Sequence, residues 1–363
     1  MRLIKLILLL AVLAAVALAW LFMTPYGPSS EQFVTIAPGT PTAAMARQLA
    51  GAGIIRTPYA FEALKAVRGG ALKAGEYRFD HPVTVSEVYD RIRRGDVFTV
   101  TLVIPEGYNI FDIATAVEKA GLYPAHDFLS AERSNTALVQ AWNPHAESLE
   151  GFLFPDTYKF ARHAKPADML AAMVKRFDVM AAKIGLTEAE APRVVTMASL
   201  VEREVHVDAE RPAVAGVFEN RLAANMPLQT DPAVIYASLL RGTWTGVIHQ
   251  SELHSDSPYN TYTHTGLPPG PICNPGLAAL RAAMHPGKND FLYFVADANG
   301  STRFARTLDE HNGNVAAYRA SLGMPNPPPA LAPPPPLPTA AVRRPAARRG
   351  RGAAIPTRSC DRN

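Results

Sequence analysis

Cysteine is almost absent. Cys273 and Cys360 are the two in 363 residues, which excludes a disulfide-stapled scaffold. Cys360 lies in a tail rich in proline and arginine, so a bridge between the pair is not expected. Metal-ligand spacing is lacking too. His249, His254, His264 and Cys273 gather in one stretch, but their intervals match no zinc motif and the stretch reads as loop. No metal and no cofactor is called for. Large apolar residues are nearly missing after Pro325, and the prolines there remove backbone donors, which excludes a folded core and leaves a solvated tail from 323 to 363. Acid is scarce in the same tail: it has seven arginines and one acid, Asp361. The chain's net charge of +4 therefore resides there, and the body is slightly acidic. Such a body gives no reason to expect a nucleic-acid partner.

Charge is also missing from Leu6 to Met23. A helix of that length spans roughly 27 Å, close to a hydrocarbon core of about 30 Å. Residues 1–5, with Arg2 and Lys5, form a positive stub that favours a cytoplasmic N-terminus. "ALA" at 17–19 would pass as a signal-peptidase site. The apolar run continues beyond it through Trp20, Leu21 and Phe22, which favours an anchor over 6–23. On either reading the body lies outside the cytoplasm.

Residues 32–96 read as a small α+β module. "FVTIAPGT" is a strand, "PTAAMARQLAGAGII" and "PYAFEALKAV" are helices, and "LKAGEYRF" is a strand entered through Gly75. "TVSEVYDRIRRGD" follows as a helix capped by Thr84 or Ser86 and stopped by Gly95. Strand–helix–helix–strand of this size is similar to the LysM-like modules of wall-binding proteins, and to many generic α+β subdomains. Residues 97–322 read as a larger mixed α+β domain. "FTVTLVIPEG" alternates as a half-buried strand. In "LEGFLFPDTYKF" a sugar-stacking role for the aromatics competes with a turn role for Asp156, and the turn is the commoner use of an acid after proline.

In the stretch "VTMASLVEREVHVDAER" two glutamates, Glu202 and Glu204, are separated by one arginine. Pro192 suits a first helical turn, so a helix starts near Ala191. Val194, Met197, Ala198, Val201 and Val205 make one face. Glu202 and Glu204 then lie about 160° apart and flank that face on opposite sides. They cannot form a close dyad, and the wheel does not choose between them. A second helix follows over "ERPAVAGVFENRLAANM", then the turn "LQTDP". "SPYNTYTHTGLPPGPICNPG" lacks either regular period. An irregular loop this long in a compact domain usually serves function. Tyrosine and asparagine are what a sugar site uses, a ring to stack and amides for hydroxyls.

"TMASLVEREV", "VFENRL", "LQTDPAVIY", "YNTYTHTGLPPGPICNPG", "AAMHP" and "LYFVAD" occur in the order and spacing of one family. On these motifs the chain resembles the endolytic murein transglycosylases, the YceG/MltG-like family. "EGFLFPDTY", the anchor and the LysM-like pattern agree with it. The resemblance implies a lytic-transglycosylase-like catalytic domain outside the inner membrane, cutting glycan strands of peptidoglycan near the synthases that make them. It implies cleavage between MurNAc and GlcNAc with a 1,6-anhydro-MurNAc end. It places the catalytic acid on Glu202, with Glu204 and Asn220 in support. It places Gln229, Asp231, Tyr259, Asn260 and Tyr262 along the groove.

The chemistry fits a single acid. A glycoside hydrolase uses two carboxylates, one to protonate the leaving oxygen and one to activate water or attack the sugar. In the reaction the resemblance implies, the C6 hydroxyl of MurNAc is the nucleophile, so one glutamate can donate a proton and then take one back. An apolar stripe beside Glu202 is expected to raise its pKa toward 6 or 7 for that work. Two rivals stand beside this. One is a muramidase-type hydrolase with Asp231 or Glu204 as second carboxylate. The other is a non-catalytic wall-binding scaffold.

Overall fold

The computed structural model describes residues 2–205, 207–297 and 299–324. The tail expected from 323 lies, from 325 onward, outside the described residues. The uncharged N-terminal run satisfies its backbone as one helix, α1 (Arg2–Met23), which also takes in most of the positive stub. Leu3–Met23 is long and apolar enough to cross a membrane, and its side chains stay exposed as far as Trp20.

The next elements are β1 (Gln32–Ile36), α2 (Thr42–Gly51), α3 (Pro58–Arg68), β2 (Gly75–Phe79) and α4 (Val85–Arg94). β1 and β2 pair antiparallel, Gln32 opposite Phe79 and Ile36 opposite Gly75. Thr84 caps α4, its hydroxyl accepting from the Glu87 N–H at 3.2 Å. Gly95 ends α4 at φ +77°, a left-handed conformation that glycine adopts without strain. Val34, Ile36, Leu49, Phe61, Tyr77, Phe79, Tyr89 and Ile92 close a core of their own. The end of α1 is built onto it. Leu21 and Phe22 pack against the core, Tyr26 bridges to Val83, and the Arg56 guanidinium stacks on both Trp20 and Tyr26.

A second core runs from Leu102 to Ala283. Its elements are β3 (Val100–Val103), α5 (Ile110–Lys119), α6 (Ala125–Ser134), β4 (Thr157–Phe160), α7 (Pro166–Ile184), α8 (Ala191–Glu204), α9 (Arg211–Ala223), α10 (Asp231–Leu240), α11 (Gln250–Leu253) and α12 (Leu277–Met284). A hairpin, β5 (Tyr293–Ala296) and β6 (Thr302–Ala305), and α13 (Leu308–Ser321) complete it. The class is α+β, with three separate two-stranded antiparallel sheets among the described residues and many helices. Arg162 ties the two cores together. It pairs with Glu76 at 2.7 Å and lies over the ring of Phe33 at 3.7 Å.

The aromatics of "LEGFLFPDTYKF" are core. Phe152 and Phe154 are buried, and Asp156 accepts from Arg176 Nε at 2.6 Å beside the turn into β4. Helix α8 is more buried than its wheel indicates: every side chain from Val194 to Glu202 is covered. α9, α10 and α12 pack around it. Its polar members are satisfied inside, Thr196 on the Pro192 carbonyl and Ser199 on the Thr196 carbonyl and the Ile272 N–H.

Glu150 lies wholly in this core. Its carboxyl accepts from the Ile110 N–H at 2.9 Å and from Asn274 Nδ2 at 2.8 Å. Burial nevertheless pushes its pKa up to about 8. The folded protein therefore holds a proton that the unfolded chain releases near the ordinary value of 4.5. The stability this contributes is complete below about 4.5 and is lost as pH rises toward 8, on the order of 3 to 5 kcal/mol if fully developed. Glu150→Gln is expected to flatten that slope in urea melts run from pH 5 to 9. An unchanged slope would show that another group carries it.

Candidate active site

Helix α8 ends in Glu202, Arg203 and Glu204, and Val205 turns extended. The two acids part as the wheel requires, and their surroundings differ in kind. Glu202 is 6% exposed. Its Oε2 accepts from the Gly276 N–H at 2.9 Å, where α12 begins, and lies 2.6 Å from Nη1 of Arg211, the first residue of α9. One carboxylate thus joins the end of α8 to the starts of two other helices, and the positive end of α12 suits its charge. Arg211 also pairs with Asp208 at 3.1 Å. The apolar setting expected for Glu202 is replaced by polar partners. The 205–210 turn folds Arg211 back onto α8, a contact that no helical wheel contains.

Glu106 joins the same cluster and was not singled out from the sequence. Its carboxylate rests on Gly276, where a side chain's Cβ would overlap it. Partial burial and then the charge of Glu202 raise its pKa, against the pull of Arg211. Arg203 reaches across to the Gly107 carbonyl at 3.2 Å. The available signal was the abrupt polar break "PEG" after an alternating strand.

On the other side of α8, Glu204 is partly open to solvent. Burial, with the negative charge of Asp231 behind it, pushes its carboxyl up to about 7 against the guanidiniums of Arg221 and Arg203. Asp231 opens α10, and the Tyr262 phenol donates to its Oδ1 at 2.7 Å. The turn before α10 and the Tyr/Asn loop are stitched together. The Gln229 N–H donates to the Thr261 carbonyl at 3.0 Å, the Thr230 N–H to Thr261 Oγ1 at 2.9 Å, and Pro227 bridges to Thr265. Gln229 itself is held at φ +54°, a left-handed conformation costing a non-glycine residue about 1 kcal/mol or more. Of the expected groove residues, Gln229, Asp231 and Tyr262 come together here, on the Glu204 side.

Two others play different parts. Asn260 is fully buried. Its Nδ2 donates to the Glu252, Leu253 and Ser255 carbonyls, and its Oδ1 accepts from the Tyr262 N–H. It folds the loop and presents nothing to a groove, because a buried amide must spend its polar atoms internally. Tyr259 packs its ring on Tyr236 with centroids 5.3 Å apart, and burial pushes its phenol up to about 12. Asn220, on α9, donates from its Nδ2 to the Asn289 and Phe291 carbonyls at 3.0 and 2.9 Å. Among the described residues no group of three or more His, Cys, Asp or Glu is placed to hold a metal ion.

A carboxyl pushed up to about 7 near an aspartate–tyrosine pair is equipped for general acid–base work. Residues 34–317 match the YceG-like family, and the chain belongs to that family. It is 32% identical over 308 residues to the endolytic murein transglycosylase of Bacillus subtilis, the match spanning 79% of this chain and 85% of that one. It is 30% identical over 331 residues to the endolytic murein transglycosylase of Streptococcus pneumoniae, spanning 82% of this chain and 60% of that longer one. A crystal structure of a YceG-like protein from Listeria monocytogenes superposes with a TM-score of 0.54 at 32% identity, covering 79% of this chain and 99% of that one.

Proposed function

We propose that the protein is an endolytic lytic transglycosylase of peptidoglycan in which Glu204 is both acid and base. The observation that carries this is the half-buried Glu204 carboxyl, held near pKa 7 beside the Asp231–Tyr262 pair. The resemblance assigned the acid to Glu202; we move it across the helix. Glu202 is nearly inaccessible, and its Oε2 is engaged by a guanidinium and an N–H.

Near neutral pH a carboxyl with a pKa of about 7 exists in both forms, which suits a two-stage role. Protonated Glu204 gives its proton to the oxygen linking MurNAc to GlcNAc, and the C1–O bond breaks. The carboxylate so formed takes the C6 hydroxyl proton as O6 bonds to C1, closing the 1,6-anhydro ring. Proton and charge balance without water. Asp231 holds negative charge close by, which stabilises the cationic sugar between the stages. Helix α1 anchors the enzyme in the inner membrane with its N-terminus inside. The 32–96 module acts as a LysM-like glycan-binding unit, and the peptidoglycan synthases are the neighbours that supply nascent strands.

The test is product analysis. On purified glycan strands, new ends are expected to be 1,6-anhydro-MurNAc, one water lighter than a reducing sugar, with no label taken from ¹⁸O-water. Strands should first shorten to mid-length pieces. Labelled reducing ends would instead make the protein a muramidase, with Asp231 as the second carboxylate. No cleavage at all would make it a wall-binding scaffold.

A further inference from the structure

Arg221, on α9, is nearly buried at 7% exposure. Its Nε donates to the Leu292 carbonyl at 2.6 Å, and its Nη1 to the carbonyls of Leu228 at 2.8 Å and Pro227 at 3.2 Å. Its Cζ lies 5.2 Å from the centre of the Tyr293 ring, on which His311 of α13 stacks. Among the described residues no carboxylate makes an ion pair with it. Burial lowers its pKa, against the pull of Tyr293, Tyr262 and Glu204, and a buried charge is costly to retain for packing alone.

Two consequences follow from the place it occupies. The Pro227 and Leu228 carbonyls immediately precede Gln229, so Arg221 fixes the turn in which Gln229 is left-handed and from which Asp231 starts α10. Its charge also bears on the Glu204 carboxyl, after the Tyr293 and Tyr262 phenols, and lowers the pKa of that carboxyl. We propose that Arg221 is a positioning residue of the reaction: it fixes the Pro227–Asp231 rim and supplies the stationary cation facing Glu204 while that carboxyl is ionised between the two stages. This rests on Glu204 being the acid and base. The other groups facing Glu204 are Arg203 on its own helix, Asp231 on α10 and Tyr262 in the loop. Tyr293 and His311 border Arg221 from β5 and α13, and burial lowers the His311 pKa, so it adds no charge there at neutral pH.

The experiment compares Arg221→Gln and Arg221→Lys in the full chain, reconstituted in proteoliposomes, on purified glycan strands across pH. A general acid loses activity as pH rises through its pKa, so kcat/KM has a descending alkaline limb. Arg221→Gln keeps an amide donor for the rim and removes the cation. Its limb is expected to move to higher pH, with kcat lower by on the order of 10²-fold from the misplaced rim. Arg221→Lys keeps the charge, and its limb is expected at the wild-type pH with kcat again reduced, because one ammonium cannot span the three carbonyls. A limb that stays put in Arg221→Gln would overturn the inference, as would failure of both variants to fold, which would leave Arg221 a packing residue only. Glu204→Gln in parallel separates the two claims: if it cleaves normally, the proposed acid is wrong; if it is inactive while the Arg221→Gln limb is unmoved, only the role of Arg221 falls.

Discussion

Glu204→Gln is expected to lower turnover on purified glycan strands by about 10³-fold or more while leaving the fold intact. The amide matches the carboxyl in size, but it can neither give a proton to the glycosidic oxygen nor take one from the C6 hydroxyl. Removing a placed acid–base group costs typically 10² to 10⁴-fold, and here one group serves both stages. Wild-type activity is expected to decline as pH rises through about 7, the value set by burial and by Asp231. Circular dichroism and melting of the variant should match the wild type. Turnover within a few-fold of wild type would remove Glu204 from the mechanism.

Glu202→Gln is expected to do damage of another kind. The amide can still accept from the Gly276 N–H, but Arg211 loses its 2.6 Å partner inside the protein. Asp208, the remaining ion-pair partner of Arg211, is well exposed and holds it only weakly. Removing one half of a buried ion pair costs about 3 to 5 kcal/mol, because the other charge stays behind uncompensated. The denaturant midpoint should fall by that measure with the slope unchanged. At a temperature where the variant is fully folded, residual cleavage should exceed that of Glu204→Gln by at least about tenfold. Equal inactivity in a well-folded variant would return the acid to Glu202, where the resemblance placed it.

The local order of the chain was legible because its signals are short-range. An uncharged run must be helical in an apolar phase, and it forms α1. Gly75, Gly95, Thr84 and Pro192 mark element ends in the sequence and do so in the fold, since each acts through its own backbone or the next turn. The 160° separation of Glu202 and Glu204 is likewise fixed by the helix repeat alone. The Tyr/Asn loop stood out by its length and lack of period, and Thr261 and Asn260 are what build it.

Which face of α8 meets solvent was not so encoded. Thr196 and Ser199 are polar, yet Pro192, Thr196 and Ile272 satisfy them and the helix is buried on every side from Val194 to Glu202. The environment of each glutamate depends on partners far along the chain: Gly276 and Arg211 for one, Asp231 and Arg221 for the other. Glu106 reaches Glu202 from about a hundred residues away, and Glu150 meets Asn274 across 124 positions. The sequence alone determined the elements, the family and the pair of acids, because periodicity, breakers and motifs act locally. Only the tertiary structure decided which acid is locked in an ion pair and which is poised near neutrality, because a carboxyl's proton affinity is set by burial and by charges that only folding brings near.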